Sequence, residues 1–137
     1  MTDAPDRTVL ITGAAKRIGR AVAVDLAARG WTVAVHFNTS EADATAVCDQ
    51  IERDGGRARP VRANLANEAE CAALISRATQ AVGPLDCLIN NASIFEKDSP
   101  ETATAESWGA HMQINLRAPF VLVQGFMRQL PGGRPGN

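Results

Sequence analysis

Segments that read as strands and segments that read as helices alternate along the chain, and this limits its possible folds more than any other feature. Arg7-Thr8-Val9-Leu10-Ile11-Thr12 is a short apolar strand running into Gly13. Ile18 to Arg29 predicts a helix, with Ile18, Val22 and Leu26 on one face and Gly30 just past its end. Trp31 to Phe37, dense in β-branched and aromatic residues, reads as a second strand. Ser40 with Asp43 resembles a capping box opening a helix that runs to about Arg53, before Gly55-Gly56. Arg57 to Ala63 reads as a weaker strand, placed at a sheet edge by Pro60 and its arginines. Asn67 caps a helix through Ala81, Leu85 to Asn90 reads as a fourth strand, and a long helical stretch covers Ala103 to Leu130.

Connections of this length between strands demand parallel pairing. The unbroken apolar runs Val9-Leu10-Ile11 and Trp31 to Val35 agree, because parallel strands are covered on both faces. The expectation is an α/β chain: a Rossmann-type, doubly wound parallel sheet of about four strands and four flanking helices. The Pro/Gly-rich end, Pro131 to Asn137, reads as a connector between a helix and a next strand. The domain 1–137 is therefore expected to be incomplete at its C-terminus.

Composition narrows the partners. Of the 137 residues, 45% are hydrophobic and 21% charged, a balance that can fill a core. A formal net charge of −1 leaves no electrostatic footprint for nucleic acid or an anionic membrane. Cys48, Cys71 and Cys87 lie far apart without metal-ligand spacing, so neither a metal site nor a disulfide framework is expected. The start, MTDAPDRT, lacks the apolar stretch of a signal peptide, and no run approaches a membrane span. A cytoplasmic domain handling a small-molecule substrate is the expectation.

The chemistry points to the loop after the first strand. In Thr12-Gly13-Ala14-Ala15-Lys16-Arg17-Ile18-Gly19, Gly13 lets the strand turn and Gly19 lets the helix pack close to the sheet. The free N–H groups at that helix start would face a pyrophosphate. Arg17 stands in the middle glycine slot, and no GKS or GKT supports a P-loop. An NAD site usually carries Asp or Glu at the end of the second strand to hold the ribose 2′-hydroxyl. Here His36-Phe37-Asn38-Thr39-Ser40 stands instead, offering an imidazole, an amide and hydroxyls. With Arg17, and Lys16 beside it, these residues can receive a 2′-phosphate, so NADP(H) is the expected cofactor. Glu41 and Asp43 are assigned to the first turn of the next helix.

Three motifs together resemble the short-chain dehydrogenase/reductase family. TGAAKRIG at 12–19 resembles its cofactor loop, INNAS at 89–93 its NNAG element, and Asn115 in QINLRAPF its catalytic helix asparagine. The arginine in the loop, HFNTS after the second strand, and Asn90-Asn91-Ala92-Ser93-Ile94-Phe95 are similar to the pteridine and dihydromonapterin reductases within that family. The resemblance implies cofactor contacts from Gly13, Lys16, Arg17, Ile18, Gly19, His36, Asn38, Thr39, Ser40, Asn64, Leu65, Asn91, Ala92 and Ser93. It implies a substrate subsite at Arg17, Ser93 and Phe95, with Phe95 stacking on a pterin opposite the nicotinamide. Asn64 stands where Asp is common in the family, and Asn90 is expected to brace neighbouring strands. Asn115 would break the long helix, helped by Pro119, and its freed carbonyl would hold a relay water. His111, one turn earlier, reads as a surface residue. A homo-oligomer is implied through the long helix, which carries Trp108, Met112 and Leu116.

The family's reaction delivers hydride to C=O or C=N, with a tyrosine as acid and a lysine lowering its pKa. This chain holds no tyrosine, and its lysines are Lys16 and Lys97. The expectation is a cofactor-binding half that does not turn over substrate alone. The alternatives left open are a 3-oxoacyl-carrier-protein or other ketone reductase of the same family, and a dinucleotide-binding module without catalysis.

Overall fold

The computed structural model describes residues 6–137; Met1 to Pro5, the start of the segment tested above for a signal peptide, lie outside the described residues. Four strands, β1 (Arg7–Ile11), β2 (Trp31–Phe37), β3 (Arg57–Arg62) and β4 (Cys87–Ile89), form one parallel sheet in the order β3-β2-β1-β4. Helices α1 (Arg17–Ala28), α2 (Glu41–Arg53) and α3 (Glu68–Val82) make the crossovers. After β4 the chain forms α4 (Ala105–Met112), a π-helical turn (Gln113–Arg117) and α5 (Ala118–Gln129).

Alternation along each strand divides the core into two layers. Val9 and Ile11 of β1 join Val33 and Val35 of β2 beneath Ala23, Ala27, Val47 and Ile51 of α1 and α2. Leu10 and Ala34 face the other way, with Val61, against Leu74, Ile75, Leu122 and Phe126 of α3 and α5. The sheet is thus covered on both faces, as the unbroken apolar runs required. β3 is an edge strand, as Pro60 demands: a prolyl nitrogen has no proton to give to a further neighbour.

Several boundaries differ from the sequence reading. β4 is only Cys87–Ile89, because Asp86 on its N-terminal side is drawn to β1, its carboxylate accepting the Thr8 N–H at 2.9 Å. The expected Ser40/Asp43 capping box does not form. Ser40 sits at φ −85°, ψ 55°, outside the extended geometry that aims a hydroxyl at the first turn, and Asp43 pairs with Lys16 at 3.3 Å. A capping box instead opens α4, where Thr104 and Ser107 exchange side-chain-to-backbone bonds at 3.1 and 3.0 Å. Asn67 caps α3 as expected, accepting the Glu70 N–H at 3.0 Å.

Beyond α5 the chain returns to the sheet. The Asn137 N–H donates to Asp86 O at 3.0 Å, and Leu88 N–H donates to Asn137 O at 2.9 Å. Asn137 therefore lies beside β4 in the bonding pattern of a parallel neighbour.

Candidate functional site

In an open parallel sheet, ligands lie beyond the carboxyl ends of the strands where the strand order reverses, here between β1 and β4. A groove of about 330 Å³ occupies that place, lined by Gly13, Lys16, Arg17, Ile18, Gly19, Asn91, Ala92 and Ser93. A larger hollow of about 510 Å³ lies at the opposite ends of the strands, lined by Arg7, Trp31, Asp86 and residues 134–137. It gathers none of the expected site residues.

The groove is built around buried Thr12. Its hydroxyl accepts the N–H groups of Asn91 and Ala92 at 3.0 and 2.9 Å, fastening the end of β4 to the end of β1. The Asn91 side chain returns the tie, donating to Thr12 O and Gly13 O at 3.0 and 3.2 Å. Gly13 turns with φ +63°, and a Cβ there would press on Ala92 Cα at 3.1 Å. At Gly19 a Cβ would meet Asn91 Nδ2 at 2.6 Å and Gly13 O closer still. The two glycines let loop, helix and β4 approach to backbone contact.

The start of α1 has no side-chain cap, in contrast to the starts of α3 and α4. Lys16 at the N-cap has nothing that accepts, so the first-turn N–H groups of α1 face the groove without a side-chain acceptor. Such a terminus favours an anion. Arg17 has φ +52°, the only non-glycine residue in the left-handed region among those described. Its side chain is exposed and enters no ion pair among the described residues. Asn38 and Thr39 are exposed at the end of β2 and Ser40 is half-buried, with no carboxylate between Phe37 and Ser40.

His36 takes a different part from the one expected. Its ring is 2% exposed and turned into the protein: Nδ1 accepts the Gly13 N–H at 2.9 Å, and Nε2 bonds to Ala63 O at 2.9 Å. With both nitrogens engaged, the ring contacts the glycine loop rather than a ligand. Burial holds its pKa below the usual imidazole range, against an opposing pull from the Ala63 carbonyl. The tautomer follows: Nε2 carries the proton and donates to Ala63 O. The Leu65 side chain is likewise buried in the core, and its carbonyl accepts from Gln113 Nε2 at 3.0 Å. Asn64 closes a local turn, its Oδ1 accepting the Ala66 N–H at 3.0 Å. Asn90 is exposed and braces no strand by a side-chain hydrogen bond among the described residues.

Beyond Ser93, which still lines the groove, the chain carries Ile94 and Phe95 toward the long helix. Asn115 lies at the centre of the π turn, where the helix departs from α geometry as its motif and Pro119 required. Its side chain grips Ile94 at both main-chain groups, accepting from N and donating to O at 2.9 Å each. Phe95 is 88% exposed. His111 is half-buried, not a free surface residue: Nε2 accepts the Glu96 N–H at 3.1 Å. The sequence marked His111 only as a surface residue and gave Thr12 and Gln113 no role; of these, only Thr12, beside the first glycine, carried a signal that could have marked it.

The comparisons with known proteins agree with this geometry. The family model described as short chain dehydrogenase matches residues 7–137. A crystal structure of FolM alternative dihydrofolate reductase 1 from Brucella canis, complexed with NADP, superposes with a TM-score of 0.90 at 35% identity, covering 95% of this chain and 52% of that one. The promiscuous reductase LugOII, which catalyses keto-reduction at C1 during lugdunomycin biosynthesis, superposes at 0.87 with 41% identity, covering 93% and 53%. The hydroxynaphthalene reductase-like protein Arp2 of Metarhizium majus is 33% identical over 129 residues, 93% of this chain and 48% of its own length. The chain thus spans about half the length of the relatives it matches. With a family match from β1 to its last residue and the glycine loop, β4 turn and helix asparagine in place, the chain belongs to the short-chain dehydrogenase family.

Proposed function

We propose that the chain is the cofactor-binding half of an NADP(H)-dependent reductase that delivers hydride to C=O or C=N, with a pteridine-type ring as substrate. The observation that carries the cofactor reading is the uncapped start of α1 beside Arg17, which enters no ion pair among the described residues, opposite a β2 end that holds no carboxylate. The residues fit the group. Gly13, Ile18 and Gly19 would leave room for the pyrophosphate at the helix start, and Arg17, Asn38, Thr39 and Ser40 would receive the 2′-phosphate. Lys16 adds positive charge that is partly spent on Asp43. Asn64 and Leu65 would flank the adenine through their backbone, and Asn91, Ala92 and Ser93 would line the nicotinamide side. NADPH supplies the hydride when bound.

Arg17, Ser93 and Phe95 would form the substrate subsite, with the exposed Phe95 ring offering one face to a flat heteroaromatic ring. Asn115 would serve in the proton relay, through a main-chain carbonyl within the π turn. The acid itself is absent from these residues, since the chain holds no tyrosine. A homo-oligomer is supported by the exposed outer face of the long helix, with Trp108, Leu116, Phe120 and Met127.

A ketone substrate is the second reading, favoured by the likeness to LugOII and to the 3-oxoacyl-carrier-protein reductase of Staphylococcus aureus. NADPH oxidation by the longest natural product that contains this chain, assayed against dihydropterins, aromatic ketones and 3-oxoacyl thioesters, separates the two. Saturable turnover of dihydropterins supports the proposal, and turnover of ketones alone replaces it with the second reading. The 137-residue chain alone is expected to bind NADPH without turning over any of them.

A further inference from the structure

Two side chains of the long helix, one turn apart, hold the chain on either side of Phe95. Asn115 grips Ile94 as described, and His111 Nε2 accepts from the Glu96 N–H. The other ring nitrogen, Nδ1, lies 2.7 Å from the Ser107 carbonyl. A carbonyl can only accept, so Nδ1 carries the proton and Nε2 keeps its lone pair for Glu96. The residues before and after Phe95 are therefore fixed, while its ring projects into solvent. A ring presented on a backbone already ordered binds a flat partner with less ordering cost.

We propose that His111 is a positioning residue: its neutral ring holds the Glu96 amide and so keeps Phe95 ready as a stacking platform for an aromatic substrate. The platform rests on the proposed function; the hold on Glu96 does not. The hold needs the lone pair. When the ring takes a second proton, Nε2 becomes a donor facing a donor, and the turn is released at Glu96 while the Asn115 grip remains. Asp98, on the loop that follows Phe95, is the charged side chain coupled electrostatically to the ring. Asp98 also accepts from the Ser107 hydroxyl at 2.6 Å, bracing the helix turn that sets the tautomer.

The structure contains two N–H···N bonds from backbone to imidazole, Glu96 to His111 and Gly13 to His36. Each gives a through-bond 15N–15N coupling, so the 15N-labelled chain reports both directly. We expect both couplings at neutral pH. In His111→Phe the Phe95 heteronuclear NOE falls and the Glu96 amide exchanges about fivefold faster, as expected for one lost hydrogen bond. His111→Gln, whose amide oxygen can accept, restores both. With NADPH present, the Kd for the probe 6-hydroxymethyldihydropterin rises about fivefold in His111→Phe, and that for NADPH does not change. Absence of the Glu96 coupling while the Gly13 coupling is seen, or an unchanged Phe95 in His111→Phe, overturns the proposal. A chain that shows the coupling and binds no pterin overturns the platform and the pteridine reading, and leaves the hold on Glu96 standing.

Discussion

At the scale of single residues, two side chains in and beside the glycine loop carry opposite costs. Arg17 occupies a left-handed conformation that glycine adopts freely, which costs an L-residue roughly 1–2 kcal/mol. Arg17→Gly should therefore stabilise the chain by about 1 kcal/mol in urea unfolding. The same change should weaken NADPH about tenfold, the worth of a charge-assisted contact, and leave NADH almost unchanged. His36 acts through its charge state. Its folded pKa lies below the unfolded value, so the unfolded chain binds the proton first and stability drains as pH falls below the imidazole range. Urea midpoints at about pH 7.5 and about pH 5.5 should differ clearly in the wild type. In His36→Gln, which does not titrate, they should differ much less, from a lower starting stability. The position of His36 at the end of a strand was legible in the sequence, but its direction was not. Period-2 alternation puts a residue on a face and does not say that Gly13 N–H and Ala63 O both await a ring nitrogen there.

At the scale of elements, α1, α2 and α3 show how much a helix start depends on backbone angle. Asn67 has extended geometry and caps α3, whereas Ser40 does not and leaves α2 without a side-chain cap. Asn67→Ala should lower stability by about 1 kcal/mol, and Ser40→Ala should leave thermal unfolding within a few tenths of that unit. The residue types at these two starts read alike, so only the dihedrals separate them. The strands were legible because parallel strands buried on both faces leave unbroken apolar runs, and β3 declared itself an edge through Pro60. The break in the long helix was legible too, since Asn115 and Pro119 stand where a regular helix would be strained. Its form, a π turn whose asparagine grips the chain ahead of Phe95, depends on a contact across 21 residues that no local pattern encodes.

At the scale of the whole molecule, the reversal of strand order between β1 and β4 puts the glycine loop and the Asn91–Ser93 turn on opposite walls of one groove. Thr12 and Asn91 lock the walls together through hydrogen bonds between side chain and backbone, so the groove is already formed in the chain. That the groove exists follows from the fold; the proposed selection of a phosphorylated ribose rests on the lack of a carboxylate between Phe37 and Ser40 and on Arg17, which enters no ion pair among the described residues. Fluorescence titration of the chain with NADPH and NADH at matched ionic strength tests this selection. Saturable binding is expected, with NADPH tighter by about tenfold or more and a gap that narrows as salt screens the phosphate. Equal affinities, or tighter binding of NADH, would contradict it.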